Sequence, residues 1–195
     1  LICRNRQGYG QLCELLTRAY LENKYRGRAE MRSEWLTPDS ASDLLCLSGA
    51  MSGDVGQALI NGNTALAAQL AQDWAERFPQ RYYIELQRAG HPGTENYIGA
   101  ALQLAADLNL PVVATHPVQF HTADDFKAHE ARVCIHQGHV LDDPRRPRSY
   151  SEEQYLRSSE EMAALFADLP EALENTLEIA TRCNLRITLG KSVLP

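Results

Sequence analysis

The sequence predicts an α/β fold, and three observations carry this prediction. Short apolar runs that are typical of buried strands lie near residues 45, 84 and 113, and helical patterns of apolar residues fill the intervals between them. Strands that are separated by helices in this way pair in parallel. Their spacing of roughly 30–40 residues suits both a doubly wound sheet and a (β/α) barrel, so the pattern alone leaves that choice open.

The composition is that of an ordinary globular domain. The chain has 195 residues, of which 44% are hydrophobic and 23% are charged. Its net charge of −6 argues against a domain that binds nucleic acid with its whole surface, because such domains carry a clustered basic surplus. The five cysteines form no Cys-x-x-Cys pair, which argues against a disulfide scaffold or a zinc ribbon and indicates a cytoplasmic location. No apolar run approaches the roughly 20 residues that a membrane span needs, so we expect no membrane partner.

The first third of the chain predicts a strand end, a helix and a second strand. The first residue is Leu1 rather than Met, and residues 1–3 resemble the end of a strand, so we expect an internal piece of a longer protein. Apolar residues share one helical face over 11–21, and residues 43–48 predict a buried strand that Gly49 ends.

The middle third continues the alternation. Residues 54–60 predict a short helix, and Asn63 is a good N-cap for the next one, which ends before Pro79. Residues 81–87 predict a strand. A helix follows from Thr94 to a stop at Asn109, and then residues 110–115 form the most strand-like run of the chain.

The last third contains more helix and a long loop. Thr122 can cap a helix that runs through Cys134, whereas two prolines and the lack of an apolar period make 140–150 a loop. Capping-box spacing occurs at Ser151 with Gln154 and at Ser158 with Glu161. A final helix begins near Pro170 and reaches Arg182, and residues 185–189 predict a strand that leaves the domain.

The histidines suggest a metal site without defining one. Five of the six histidines lie between residues 116 and 139, and His129 and His136 are seven apart and can share a helical face. They do not occur in a His-Glu-x-x-His or a His-x-His motif, so we interpret them as surface and capping residues.

If the fold is a barrel, the loops that follow the three central strands share one rim, where such folds carry chemistry. The glycines at 49 and 53 do not match a phosphate loop and are expected to serve a turn. Neither a Ser-His-Asp nor a Cys-His set can be identified by spacing, and we predict no catalytic residue. The polar groups available at this rim are Ser48, Asp54, Glu85, Gln87, Arg88, Thr115, His116, Gln119 and His121.

A compact run of positive charge occupies the long loop. Arg145, Arg146 and Arg148 could contact a phosphate or another domain. The alternative, which the negative net charge favours, is a loop whose arginines pair with a neighbouring acidic surface.

Six ordered blocks of sequence resemble a known family. They are Leu-Ser-Gly at 47–49 with Gly-Asp-Val-Gly at 53–56, then the segments 81–88, 110–115, 125–133, 141–148 and 155–158. In this order they resemble the later part of the PHP (polymerase and histidinol phosphatase) domain of bacterial replicative DNA polymerase III alpha subunits, family C. The segment Thr-His-Pro-Val-Gln-Phe at 115–120 resembles the proteobacterial version.

The resemblance implies a partial, distorted (β/α) barrel of the PHP type that lacks its first strands. Residues 1–140 would form the later part of the barrel, and residues 141–195 would be the loop and helices that lead to the start of the palm. Metal-binding members carry ligands at three positions that are Ala89, Pro117 and Gln119 here. Alanine and proline cannot ligate a metal and glutamine is a weak ligand, so we expect no metal site.

The resemblance also implies a function for the longer protein and for this part of it. The parent would perform template-directed DNA synthesis with two Mg²⁺ held by palm carboxylates beyond residue 195, and this fragment would need no cofactor. The fragment would be a scaffold and the docking site for the proofreading exonuclease subunit. Its other partners would be the remaining polymerase domains, further replisome subunits and, through the parent, DNA.

Two alternatives remain. One is an active metal-dependent PHP phosphoesterase or 3′–5′ exonuclease, which requires ligands that converge on one point. The other is an unrelated α/β enzyme, which requires a cluster of titratable groups in one pocket.

Overall fold

A computed structural model, which describes residues 1–190, shows a small mixed α/β protein. Its N-terminal part consists of strand β1 (Ile2–Cys3), helix α1 (Arg6–Glu22) and a hairpin of β2 (Lys24–Tyr25) and β3 (Arg28–Ala29). The remaining strands and helices are β4 (Leu44–Leu47), α2 (Asp54–Ile60), α3 (Thr64–Arg77), β5 (Tyr82–Gln87), α4 (Thr94–Leu108), β6 (Val112–Thr115), α5 (Phe126–Gln137), α6 (Ser159–Leu165) and α7 (Pro170–Arg182).

The main sheet has four strands in the order β1-β4-β5-β6. The pairs β4–β5 and β5–β6 are parallel, as the alternation of strands and helices predicts. The short β1 pairs with β4 in the antiparallel direction. The sheet is open rather than closed on itself, so the described residues form an α/β sheet and do not by themselves make a barrel.

Apolar side chains cover the sheet on both faces. On one face Leu44, Ile84 and Leu86 belong to the large core, to which α2, α3 and α4 contribute. On the other face Leu45 and Tyr83 pack with Val113 and with residues of α7. Because neighbouring residues of a strand point to opposite faces, a strand that is covered on both sides reads as a continuous apolar run, which explains the strand signal of the sequence.

Several helix ends lie where the sequence places them. Helix α2 has the predicted bounds, and the side chain of Asn63 accepts a hydrogen bond of 3.1 Å from the backbone N–H of Leu66. Thr122 and Ser158 each form a complete capping box, and Pro170 is the first residue of α7. Asn109 follows α4 in the left-handed conformation, with φ 51°, which allows the chain to turn into β6.

Two expectations are wrong, and one element of the structure was not expected. Residues 185–189 are irregular and not a strand, because the chain leaves α7 alongside Arg4 and makes no ladder there. The Ser151 spacing opens a turn instead of a helix. The hairpin of β2 and β3 was not predicted, since its strands are two residues long and its turn, at Arg26 and Gly27, has no Asn-Gly signal.

Within residues 1–190, none of the helices has the length and apolar character that crossing a membrane demands.

Candidate functional site

The carboxyl ends of β4, β5 and β6 lie at one edge of the sheet because these strands are parallel neighbours. We call this edge the rim and define it by the loops 48–53, 88–91 and 116–121. The first loop doubles back tightly: Gly49 has φ 80°, and a Cβ on Gly53 would lie 1.8 Å from the carbonyl oxygen of Ser48. These glycines therefore serve the turn, as expected.

Glu85 is a buried carboxylate of β5 beside the rim, and it accepts three hydrogen bonds. Its side chain accepts hydrogen bonds from the hydroxyl of Thr115, from Gln87 Nε2 at 3.1 Å and from the backbone N–H of Gly49 at 3.1 Å. Its own backbone N–H donates to Ser48 Oγ at 2.9 Å. A buried carboxylate with several fixed donors ties three strand ends together.

Arg88 is the first residue of the rim loop that follows β5, and it joins the end of this strand to two helices. Its guanidinium pairs with Glu95 in the first turn of α4 and with Asp168 in the turn before α7, at 3.0 and 2.6 Å. It also donates to the carbonyl of Leu165 and lies over the Phe166 ring. Hydrogen bonds to both carboxylates raise the pKa of Arg88, so this residue is a permanently charged structural clamp.

A short segment from another part of the chain covers the rim. We call residues 151–156 the strap. It runs beside the loop after β6, where Phe120 and Tyr155 form a parallel bridge and the N–H of Leu156 donates to the carbonyl of Phe120 at 3.1 Å. The strap is held at its start by a turn in which Gln154 Oε1 accepts from the N–H of Ser151.

The three positions at which the resemblance places metal ligands are the points where the strap attaches. The hydroxyl of Ser151 donates to the carbonyl of Ala89. Gln154 Nε2 donates to the carbonyl of Pro117 at 3.1 Å, and the N–H of Gln119 donates to the carbonyl of Gln154 at 2.8 Å. The main-chain groups of these three residues therefore form hydrogen bonds with the strap. The methyl group of Ala89 and the ring of Pro117 have no atom that can ligate a metal ion.

The histidines beside these positions do not form a ligand cluster. His116 is half-buried and donates from Nε2 to the carbonyl of Glu153 at 2.8 Å, while burial lowers the pKa of its ring. His121 is exposed. Within residues 1–190, no group of three or more His, Cys, Asp or Glu side chains is arranged to hold a metal ion. At the three positions where the resemblance places metal ligands, the side chains here supply one amide and no imidazole or carboxylate.

The arginine loop divides into one buried and two exposed residues. Arg146 is buried and forms an ion pair of 2.5 Å with the buried Glu130 of α5, as the salt-bridged alternative proposes. Arg145 is exposed and contacts Asp143 of its own loop at 3.3 Å. Arg148 is exposed as well. A phosphate contact thus stays a prediction for Arg145 and Arg148, whereas Arg146 is committed within the chain.

Comparison with known proteins identifies relatives of this chain. The model of the family described as PHP domain matches residues 1–89. Over all 195 residues the chain is 48% identical to the DNA polymerase III subunit alpha of Pseudomonas aeruginosa. It is 47% identical to that of Escherichia coli K12 over the same residues. The identity to the protein of Neisseria meningitidis serogroup B is 53% over 197 aligned positions.

The chain is a homologue of part of the DNA polymerase III alpha subunit. It spans 16–17% of the length of the curated relatives that it matches. The resemblance of the six sequence blocks is thereby confirmed, including the proteobacterial type.

Sequence reasoning found the rim and missed the strap. The strand pattern predicts that Ser48, Glu85 and Thr115 end neighbouring strands, and the structure brings them together. The strap lacks an apolar period, so no periodic signal marks it. The one available signal was the Ser151–Gln154 spacing, which in the structure closes the turn that presents Gln154 to the rim.

Proposed function

We propose that this chain is a metal-free PHP scaffold within a DNA polymerase III alpha subunit. Residues 1–140 would belong to a partial, distorted PHP barrel that is completed by other parts of the parent, and residues 141–195 would lead toward the palm. The parent would act in the cytoplasm and catalyse template-directed DNA synthesis, with Mg²⁺ held by palm carboxylates outside this chain.

One observation carries the proposal that the scaffold is inert. The carbonyls of Ala89 and Pro117 and the N–H of Gln119 bond to the strap, so the surface that would face a metal is packed against protein. A hydrolytic site needs three or four ligand atoms that converge on an ion. Glu85, a buried carboxylate of β5, already accepts three hydrogen bonds.

We further propose that this scaffold docks the proofreading exonuclease subunit of the replicase. The hydrogen bonds of Glu85, Arg88 and the strap hold the rim loops in place. A surface that is held in this way loses little conformational entropy when a partner binds. The other replisome subunits and DNA would meet this chain through the parent.

The test uses the intact alpha subunit. After dialysis against a chelator and then against buffer with Zn²⁺ or Mn²⁺, elemental analysis should find no tightly held ion that depends on His116 or His121. A 3′-labelled single strand should stay uncut when the exonuclease subunit is absent. The exonuclease subunit should co-elute with the alpha subunit in gel filtration.

Two results would contradict the proposal in different ways. Stoichiometric metal that is lost in His116→Ala, together with removal of the 3′ label, would establish the phosphoesterase or exonuclease alternative. Failure of the exonuclease subunit to co-elute would remove the docking role and leave the metal-free rim standing.

A further inference from the structure

A cavity of about 340 Å³ lies along α5, and the Glu130–Arg146 ion pair is not part of its lining. Three basic or titratable residues of α5 share one wall, because they are three and seven positions apart along the helix. Tyr150, at the end of the arginine loop, forms the opposite wall. The lining residues are His129, Arg132, Val133, His136, Gln137 and Tyr150.

His129 is 6% exposed and has one ring nitrogen without a partner. Arg132 Nη2 lies 3.2 Å from His129 Nδ1. Arginine can only donate, so Nδ1 accepts and the proton of a neutral ring resides on Nε2. Burial is the largest cause that lowers the pKa of His129, and the charge of Arg132 lowers it further, so the ring is neutral near pH 7. A buried N–H donor that finds no acceptor within residues 1–190 is costly.

The charges around this cavity favour an anion. None of the lining residues is acidic, and Glu130, the carboxylate of α5, is neutralised by Arg146. Arg132 is exposed and forms no ion pair in the described part of the chain. Arg148 is exposed and lies two residues before Tyr150.

We propose that this cavity binds a phosphate group, which contacts Arg132 and His136 at the mouth and His129 Nε2 at the wall. The planar guanidinium suits two parallel hydrogen bonds to phosphate oxygens, and the volume accommodates one such group. Nε2 is shielded, so the half-buried Tyr150 ring, 4.7 Å from the imidazole, shifts when the phosphate enters. The phosphate can be free or part of a single-stranded DNA backbone, since both present the same oxygens.

The experiment measures both sources on the 195-residue chain, after a cooperative urea transition has established that this chain folds on its own. Isothermal titration calorimetry follows inorganic phosphate, and fluorescence anisotropy follows a dye-labelled oligothymidylate without a terminal phosphate. Arg132→Ala should weaken binding about tenfold, the size expected for a lost charge-assisted hydrogen bond. His129→Phe keeps a ring between Phe120 and Tyr150 but removes the donor, and should also weaken binding.

Lys127→Ala is the matched control. Lys127 is exposed on the same helix but faces away from the cavity, so its loss removes the same charge without touching the site. Affinity should then change by less than about twofold at moderate salt.

Each outcome has a meaning. Binding of inorganic phosphate that Arg132→Ala weakens and Lys127→Ala spares supports the site with free phosphate as a source. If only oligothymidylate binds, and Arg132→Ala weakens its binding while Lys127→Ala does not, the result supports the site with the DNA backbone as the source of the phosphate. Absence of binding by both probes overturns the proposal, as does an equal loss in Arg132→Ala and Lys127→Ala. Because Arg132 is exposed, its variant tests the site even if the buried His129→Phe fails to fold.

Discussion

The side-chain amide of Asn175 on α7 donates a hydrogen bond of 2.8 Å to the backbone carbonyl of Val112 on β6. One residue further along the helix, the hydroxyl of Thr176 donates to the carbonyl of Ala114 at 3.0 Å. Both carbonyls lie on the edge of β6 that faces away from β5. Helix α7 thus replaces a neighbouring strand at this edge, and side chains satisfy groups that would otherwise invite pairing with another chain.

Replacing Asn175 by alanine should lower the free energy of unfolding by about 1–3 kcal/mol, because the Val112 carbonyl loses its donor in a half-buried place. Urea unfolding followed by circular dichroism measures this change. Leu177→Ala on the same helix is the control, since Leu177 is 71% exposed and should cost less than about 0.5 kcal/mol. Equal effects of the two variants would show that α7 contributes only apolar contact.

Replacing Gln154 by alanine should loosen the strap. Gln154 accepts from the N–H of Ser151 and donates to the carbonyl of Pro117, so the variant breaks the turn and one rim attachment together. We expect a loss of about 1–3 kcal/mol and faster proteolytic cleavage between residues 140 and 156. The control is Glu152→Ala, an exposed change within the same turn. Unchanged cleavage in Gln154→Ala would mean that the rim does not hold the strap.

The buried pair of Arg146 and Glu130 allows a double-replacement test. Arg146→Met alone leaves a buried carboxylate unpaired and should cost about 3–5 kcal/mol. Combining it with Glu130→Leu removes both charges and should restore most of that stability. The measurement is the midpoint of urea unfolding for the wild type, both single variants and the double variant. If the double variant is as unstable as Arg146→Met, the cost lies in packing and not in charge.

The half-buried His116 should make stability depend on pH. Burial lowers the pKa of His116 in the folded protein below the ordinary value of about 6.5, which applies in the unfolded chain. At pH values between the folded and the unfolded pKa, the unfolded chain therefore binds more protons than the folded one. The free energy of unfolding should therefore fall as the pH drops from about 7 towards 5. His116→Gln, which can still donate to the carbonyl of Glu153, should reduce this loss, and the exposed His121→Gln should not. Identical pH profiles for all three proteins would contradict the role of His116.

The sequence predicts well what depends on short-range patterns. The apolar period and the caps at Asn63, Thr122, Ser158 and Pro170 place the helices, because their signals lie within a few residues of the feature. The parallel order of β4, β5 and β6 follows from the alternation of elements, and with it the meeting of Ser48, Glu85 and Thr115 at the rim.

Features that depend on distant contacts were not predictable in the same way. The strap binds the rim through main-chain groups 35 or more positions away, and main-chain hydrogen bonds leave no trace in side-chain periodicity. The burial of Arg146 depends on Glu130 of α5, and a run of arginines in a sequence looks the same whether it is exposed or paired. The segment 185–189 alternates apolar and polar residues as a strand does, but no described neighbour offers it a ladder, so local preference alone does not make a strand there.

Arg88 couples the folding of two regions that are far apart in the sequence. Its guanidinium holds Glu95, Asp168 and the carbonyl of Leu165 at once, so α6 and α7 cannot swing away without breaking these contacts beside the end of β5. We therefore expect the C-terminal helices and the adjoining strand end to open together, and their protected amides to exchange with deuterium at a common rate.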